Sequence, residues 1–471
     1  MPENAPALHQ TYAEALPELS VPWRADAPPE PELVWLDEEL ARELGLDPAW
    51  LRGPDGIALL TGQIEGTTAQ AYAGHQFGTA NPLLGDGRAV LLGDLVTPAG
   101  NRVDLHLKGA GRTPFARGGD GKAPLGPMLR EAVIGRWLHA CGVPTTRALA
   151  VLTTGERIAP RQGVTEESGA LLVRAAASHL RVGTLEYAAW HLGPEVTERL
   201  VDHAIARHHP SADGPLGLLE AVAEAQAELV AQWMLLGFVH GVMNTDNMTL
   251  SGEGIDYGPC AVLDVHRRDA VFSSIDRGGR YAYGSQPGIA LWNLSRLAET
   301  LLPLLGPDDP DAAVEQATAV LERFEARHLD AVARGLSAKL GVDGPREEVL
   351  ALGADLFTLM EQQQIDHTGF FRALEEERAE ALFAEREPFA RWAARREALR
   401  AASADASPAN PVYVPRNVHL DSALRTAHLG DLAPVRELLE VVAAPFERQA
   451  GREHLEGPGD GGEHFLTFCG T

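Results

Sequence analysis

The alternation of apolar and polar positions divides the chain into a strand-rich region followed by long helices. Over residues 89–96 (AVLLGDLV) and 102–109 (RVDLHLKG) the period is two, and Pro98, Ala99, Gly100 and Asn101 between them form a turn signal, which predicts a β-hairpin. In its second strand Val103, Leu105 and Leu107 alternate with Asp104, His106 and Lys108, putting Lys108 on the face away from the apolar stripe. From Leu125 to about Cys141 the period becomes helical, with Leu129, Val133 and Trp137 on one side and Ile134 and Leu138 on another. A helix apolar nearly all round belongs in an interior, so Glu131 within it needs a positive partner.

Other stretches are read the same way. In WLDEELARELGLDP, Asp37 caps a short helix, Leu40 and Leu44 share a face, and Gly45 ends it ahead of Pro48. A long helix is predicted over roughly residues 215–238, with NMTL and GIDY after it as short strands around Ser251 and Gly252. The remainder to about residue 400 reads as helices with charged faces, and beyond SADASPANP one further helical stretch (SALRTAHLGDLAPVRELLEVV) leads to a tail expected to be flexible. Residues 1–34, acidic and rich in proline, read as an extended arm.

Composition narrows the function classes. Forty Lys and Arg against 66 Asp and Glu leave a net charge of −26, which repels a phosphate backbone and an anionic lipid surface. Nucleic-acid and membrane partners are therefore not expected. Apolar residues at 45% and charged residues at 23% suit a folded, soluble protein, and 471 residues suit about three domains or one large two-lobed unit. Three cysteines, Cys141, Cys260 and Cys469, make no CxxC pair; with no signal peptide or membrane span legible, a reducing cytoplasmic setting is expected.

Common catalytic signatures are missing: no Walker loop, HExxH or GxSxG occurs, and the GxGxxG at Gly457, Gly459 and Gly462 has neither a strand before it nor a helix after it. The adjacent His208 and His209 cannot face one metal from a helix and read as a solvated pair. The order of other features says more. A loop with Gly85, Gly87 and Arg88 precedes the hairpin, followed by Lys108 on a strand, Glu131 in a helix, the pair Asp246 and Asn247, and Asp256 in an Asp-Tyr-Gly run. This is the sequential layout of a protein-kinase fold. Glycines let backbone N–H groups approach phosphates, Lys108 neutralises them, Glu131 orients Lys108, and Asn247 and Asp256 offer hard oxygens to Mg²⁺. Each element alone also fits a plainer role: GDGR a turn, Lys108 a solvated strand face, Arg174 and Arg181 surface ion pairs, Asp246 a cap.

Longer runs carry a resemblance. AYAGHQFG, LLGDGRAVLLGDLV, LKGAGRTPFARGGDGKAPLGPMLREAV, SHLRVGT, GFVHGVMNTDNMTLSGEGIDYGP, GRYAYGSQPGIALWNLSRLAETL and NPVYVPRNV resemble the SelO (selenoprotein O-like) protein adenylyltransferases, from about residue 10 to about 440. The resemblance implies an α+β, protein-kinase-like two-lobed fold: an N-terminal extension over 1–75, an N-lobe over 76–165, a helical C-lobe over 166–400, and additional C-terminal helices with a tail over 401–471. It implies transfer of AMP from ATP, or UMP from UTP, to Ser, Thr or Tyr hydroxyls of proteins, with the nucleotide flipped relative to kinases and with Mg²⁺ or Mn²⁺ as cofactor. By position, Gly85, Gly87 and Arg88 would line the nucleotide loop, Lys108 and its partner Glu131 would serve the phosphates, Asp120 and Gly121 would touch the nucleotide, Arg174 and Arg181 would hold the outer phosphates, Asp246 would be the general base, and Asn247 and Asp256 the metal ligands.

The chain departs from the family pattern in places. Lys122 stands where arginine is common, Ile134-Gly135-Arg136-Trp137 replaces a frequent SEAM, Phe272 replaces a cysteine, and Leu466 replaces the usual partner of Cys469, so a redox role for Cys469 is not expected to follow the family. Two other readings use the same residues: a kinase-type phosphotransferase and a catalytically silent nucleotide-binding module.

Overall fold

The structure is a computed structural model, and it describes residues 6–158, 166–401, 409–459 and 465–467. An antiparallel sheet comes first along the chain. Its strands lie in the order Ser20–Pro22, Thr68–Gln70, Ala89–Val96, Arg102–Lys108, Glu167–Ala176, Arg147–Ile158 and Glu32–Leu36, with Ala123–Pro124 also pairing to Glu167–Ala176. The predicted hairpin is present, Ala89 opposite Lys108 and Val96 opposite Arg102. Leu105 and Leu107 bury one face of the second strand in an apolar cluster with Leu92, Leu149 and Val173. Asp104, His106 and Lys108 are buried too, on the other face, so that face is an internal polar seam and not a solvated one.

The helix Leu125–Ala140 packs on that second face of the sheet. Trp137 within it is fully buried near Phe238, at 6.3 Å between ring centroids, and joins the sheet to the helical half. The long helix is Gly214–Leu236, ended by Gly237 in the left-handed region. Around it pack Gln286–Leu305, Pro310–Glu322 and Phe324–Leu340, and a second apolar cluster gathers Arg346–Gln362, His367–Glu375 and Arg386–Ala398. Asp37 caps Glu38–Glu43 by accepting from the Leu40 N–H, as its spacing predicts.

Several expectations are corrected. Residues 6–34 are no free arm, residues 1–5 lying outside the described residues: Leu16 and Leu19 are fully buried, and the segment supplies one edge strand, while Glu32–Leu36 supplies the opposite edge. Between the edges, Trp23–Pro31 runs as a strap fastened by Asp26 N–H to Ala110 O at 2.8 Å and Glu30 N–H to Thr154 O at 3.0 Å. NMTL and GIDY form only isolated bridges, Thr249 with Arg181 and Gly254 with Thr145, because tertiary hydrogen bonds and not a ladder hold them. The regular pairing nearby is Phe238–Val239 with Ala261–Val262. The last helical stretch is two helices, Asn417–His428 and Ala433–Val441, broken at Gly430. His208 and His209 are bonded, not solvated: His208 Nε2 lies 2.7 Å from Ser178 Oγ and His209 Nε2 2.8 Å from Leu250 O. Burial pushes His208 down to about 3. Within the expected flexible tail, Leu455 and Thr467 are buried, and Thr467 pairs with Ser273; Cys469 lies outside the described residues.

Among the described residues no helix is long and apolar enough to cross a membrane. Because Trp137 fills the junction of sheet and helices, Trp137→Ala is expected to cost about 3–5 kcal/mol, read as a lowered urea midpoint.

Candidate active site

Strand register places the first basic pair. Arg174 on Glu167–Ala176 lies opposite His106, and Leu172 lies opposite Lys108, so the two cations come from neighbouring strands onto the polar seam. The helix Leu125–Ala140 crosses this seam and brings Glu131 to Lys108 Nζ at 2.7 Å and to Arg174 Nη1 at 3.2 Å. A third cation, Arg181, precedes the helix Val182–Tyr187; it lies 4.5 Å over the Tyr72 ring and donates to the Asp246 carbonyl at 2.9 Å. The plainer reading of Arg174 and Arg181 as surface pairs fails, since each is 2% exposed.

Asp256 ties the three cations together. Its Oδ1 accepts from Lys108 Nζ at 2.6 Å and Arg174 Nη1 at 2.7 Å, and its Oδ2 lies 3.4 Å from Arg181 Nη1. Burial alone would raise this carboxyl, but the cations Lys108, Arg174 and Arg181 outweigh it and hold the group well below the usual carboxylate range. Its backbone sits at φ +62, uncommon for a non-glycine residue.

A second layer orients Arg174. His106 is fully buried, with Nδ1 3.0 Å from Arg174 Nη2 and Nε2 3.1 Å from Asp86 Oδ2. A guanidinium only donates, so Nδ1 accepts and the Nε2–H points to Asp86. Burial, reinforced by the charge of Arg174, keeps this imidazole neutral. Burial likewise raises Asp86 to about 6, against the opposing pull of Arg181.

Asp246 stands beside this cluster. It is 9% exposed, its Oδ1 is buried without a hydrogen-bond partner, and its Oδ2 is 3.5 Å from Gln76 Nε2. Burial raises its carboxyl to about 7, although Arg181 pulls the other way. The close approach needs Gly74, where a Cβ would stand 2.8 Å from Asp246 Oδ1. Asp246 is thus a carboxyl poised near neutrality, as a general base requires.

These groups line one cavity of about 460 Å³, within the range of small-molecule sites. Its cations are Arg88, Lys108, Arg117, Arg130, Arg174 and Arg181, and its carboxylates are Asp86, Glu131, Asp246 and Asp256. With two of those carboxyls raised towards neutrality, the cleft is positive inside a chain of charge −26. Of the sequence-predicted residues, Gly85, Gly87, Arg88, Lys108, Glu131, Arg174, Arg181, Asp246, Asn247 and Asp256 line it. Gly85 is demanded by the protein itself: it sits at φ +62, and a Cβ would meet the Phe115 ring at 2.3 Å. Asp120 and Gly121 are outside the lining; Asp120 Oδ1 accepts from Lys122 N–H at 3.0 Å and the Gly121 carbonyl accepts from Gly111 N–H at 3.1 Å. Sequence reasoning missed Tyr72, Gln76 and His106 as site residues, although the polar alternation Asp104, His106, Lys108 in a buried strand carried the signal for His106.

Chemistry decides whether a divalent ion fits. Asp256 offers a carboxylate, and the Asn247 amide gives its N–H to Val242 O at 3.0 Å, leaving its oxygen to accept. No cluster of three or more His, Cys, Asp or Glu suited to a metal occurs among the described residues. Two hard oxygens suit Mg²⁺ or Mn²⁺ arriving with phosphates, since Mg²⁺ keeps several waters and takes only one or two carboxylates.

Comparison with known proteins follows from this geometry. Residues 7–442 match the family model described as Protein adenylyltransferase SelO. The chain belongs to the SelO family. It is similar to proteins named protein nucleotidyltransferase YdiU: 50% identical over 483 residues to that of Mycobacterium sp. (strain KMS), covering 99% of each chain. It is also 50% identical over 486 residues to that of Mycolicibacterium smegmatis, covering 100% of this chain and 99% of the relative. The SelO resemblance carried by LKGAGRTPF and the MNTDNM to IDYGP block is borne out.

Since Asp256 compensates three SelO-cleft cations, Asp256→Asn is expected to lower stability by on the order of 1–3 kcal/mol. Pyrophosphate at millimolar concentration is expected to raise its melting temperature more than that of the unaltered protein in a thermal-shift assay.

Proposed function

We propose that this protein transfers AMP from ATP to Ser, Thr or Tyr hydroxyls of other proteins and releases pyrophosphate. The observation that carries the reading is the buried set Lys108, Arg174 and Arg181 beside Asp246, a cationic pocket for phosphates next to a carboxyl balanced near neutrality. The kinase-like two-lobed fold, with its extension and C-terminal helices, is supported by the chain order of strand lysine, helix glutamate, Asp-Asn pair and Asp-Tyr-Gly run.

In this reading Asp246 takes the proton of the acceptor hydroxyl, whose oxygen attacks the α-phosphorus as the bond to the bridging oxygen of pyrophosphate breaks. Lys108, Arg174 and Arg181 turn from Asp256 to the phosphate oxygens, while Glu131 keeps Lys108 in place. Preorganised cations meet the charge that develops on the leaving group, and one positioned arginine is worth roughly 10³–10⁵ in rate in phosphoryl transfer. Asn247 and Asp256 would hold Mg²⁺ or Mn²⁺, which supplies further neutralisation of phosphate charge. Gly85, Gly87 and Arg88 line the nucleotide loop; Asp120 and Gly121 are outer nucleotide contacts by resemblance. UTP is a candidate second donor. The net charge of −26 supports a protein that binds neither nucleic acid nor membrane, and the sparse cysteines support a cytoplasmic setting.

ATP labelled at the α or the γ phosphate separates the readings. Label reaching acceptor protein from α alone is expected, whereas label from γ alone would make the enzyme a kinase. Lys108→Ala is expected to reduce kcat/KM at least about 100-fold. The base form of Asp246 is lost as pH falls through about 7, so turnover is expected to drop about tenfold per unit below that value in a pH–rate profile.

A further inference from the structure

Among the described residues, large exposed apolar side chains gather at the mouth of the cleft. Phe77 and Ile275, 37% and 44% exposed, line it. Leu83 is exposed two residues before Gly85, and Trp190 is exposed with its ring edge-on to His75 at 5.6 Å. Exposed apolar patches of this kind mark interaction surfaces.

Phe77 is the sharpest case. It holds φ +50, a region that favours glycine, and its N–H donates to Asn244 Oδ1 at 3.2 Å and Tyr281 OH at 3.1 Å. Its ring stands edge-on to Tyr281 at 5.0 Å. Folding alone would be better served here by a small residue, since the ring is exposed and the backbone strained. The preceding residue, Gln76, is the one that reaches Asp246. The Phe77 ring thus stands one residue from a side chain in contact with Asp246, in the lining of the same cleft.

Charge adds a second mark. Arg280 lies against Gly78 at the turn of the Gly74–Asn81 hairpin, with its guanidinium 4.7 Å from the Trp292 ring and 5.8 Å from the Tyr281 ring. No carboxylate forms a salt bridge with its guanidinium among the described residues, Asp276 Oδ1 accepting instead from its backbone N–H at 3.0 Å. We propose that this lip receives the acceptor protein, taking an apolar side chain next to the modified hydroxyl against Phe77 and Ile275 and a carboxylate further along on Arg280. The inference rests on the transferase reading above and adds what the acceptor must look like.

The full-length enzyme with α-labelled ATP tests it on three peptides: a single serine between leucines with a glutamate three residues on, the same peptide with glycines for the leucines, and the same with lysine for the glutamate. The first is expected to be used about tenfold better in kcat/KM than either other. Phe77→Gly, which glycine's freedom at positive φ favours, is expected to raise the KM of the first peptide about tenfold and erase the leucine preference. Arg280→Gln is expected to erase the glutamate preference alone. Ile275→Ser, at an exposed position, provides the same readout if Phe77→Gly does not fold. Equal use of the three peptides, no peptide labelling while whole proteins are labelled, or a leucine preference that survives Phe77→Gly would each overturn the lip. Failure to transfer α label to any protein would instead overturn the transferase reading.

Discussion

Three cations buried against two carboxylates form the constraint on which the rest of the structure depends. Lys108, Arg174 and Arg181 would repel one another in a dry interior, and Glu131 and Asp256, with the His106 ring, the Asp246 carbonyl and the Tyr72 ring, make their burial tolerable. Each of the five arrives on a different segment: two neighbouring strands, the start of a short helix, the interior of a buried helix, and a loop after the long helix. Bringing them together fixes how sheet and helices meet. In the proposed reaction, phosphates would take the place of Asp256 on these cations without moving charge far.

Around that cluster, neutrality is distributed by burial. Burial keeps His106 uncharged, which leaves its Nδ1 to accept from Arg174, and raises Asp246 to about 7. Both effects come first from exclusion of water and only then from neighbouring charge. The same apolar packing that stabilises the sheet therefore sets the acid–base properties of the cleft.

Much of this was legible along the chain. The hairpin, the cap at Asp37 and the all-round apolar helix follow from local periods, and Glu131 in that helix announces a cationic partner without saying which. Lys108 was readable as a face, but not as a buried face, because what covers a strand is a matter of distant sequence. Without the family resemblance Arg174 and Arg181 read as surface residues; strand register and the Tyr72 ring bury them, and no spacing links Tyr72 to Arg181. The loop between the long helix and Asp256 misled local reading: its apolar alternation suggests strands, yet its hydrogen bonds go to Leu180, Pro144 and Val242.

The strap Trp23–Pro31 joins the two outermost strands of the sheet, which lie six strand spacings apart. At roughly 4.8 Å per spacing that is about 29 Å, and nine extended residues reach about 30 Å. Pro28, Pro29 and Pro31 stiffen the segment, so it crosses the sheet as a brace between its two margins. Bonded to the sheet at Asp26 and Glu30 on the way, it couples the two margins through backbone rather than side chains, so the edges of the sheet are braced by the chain's own path.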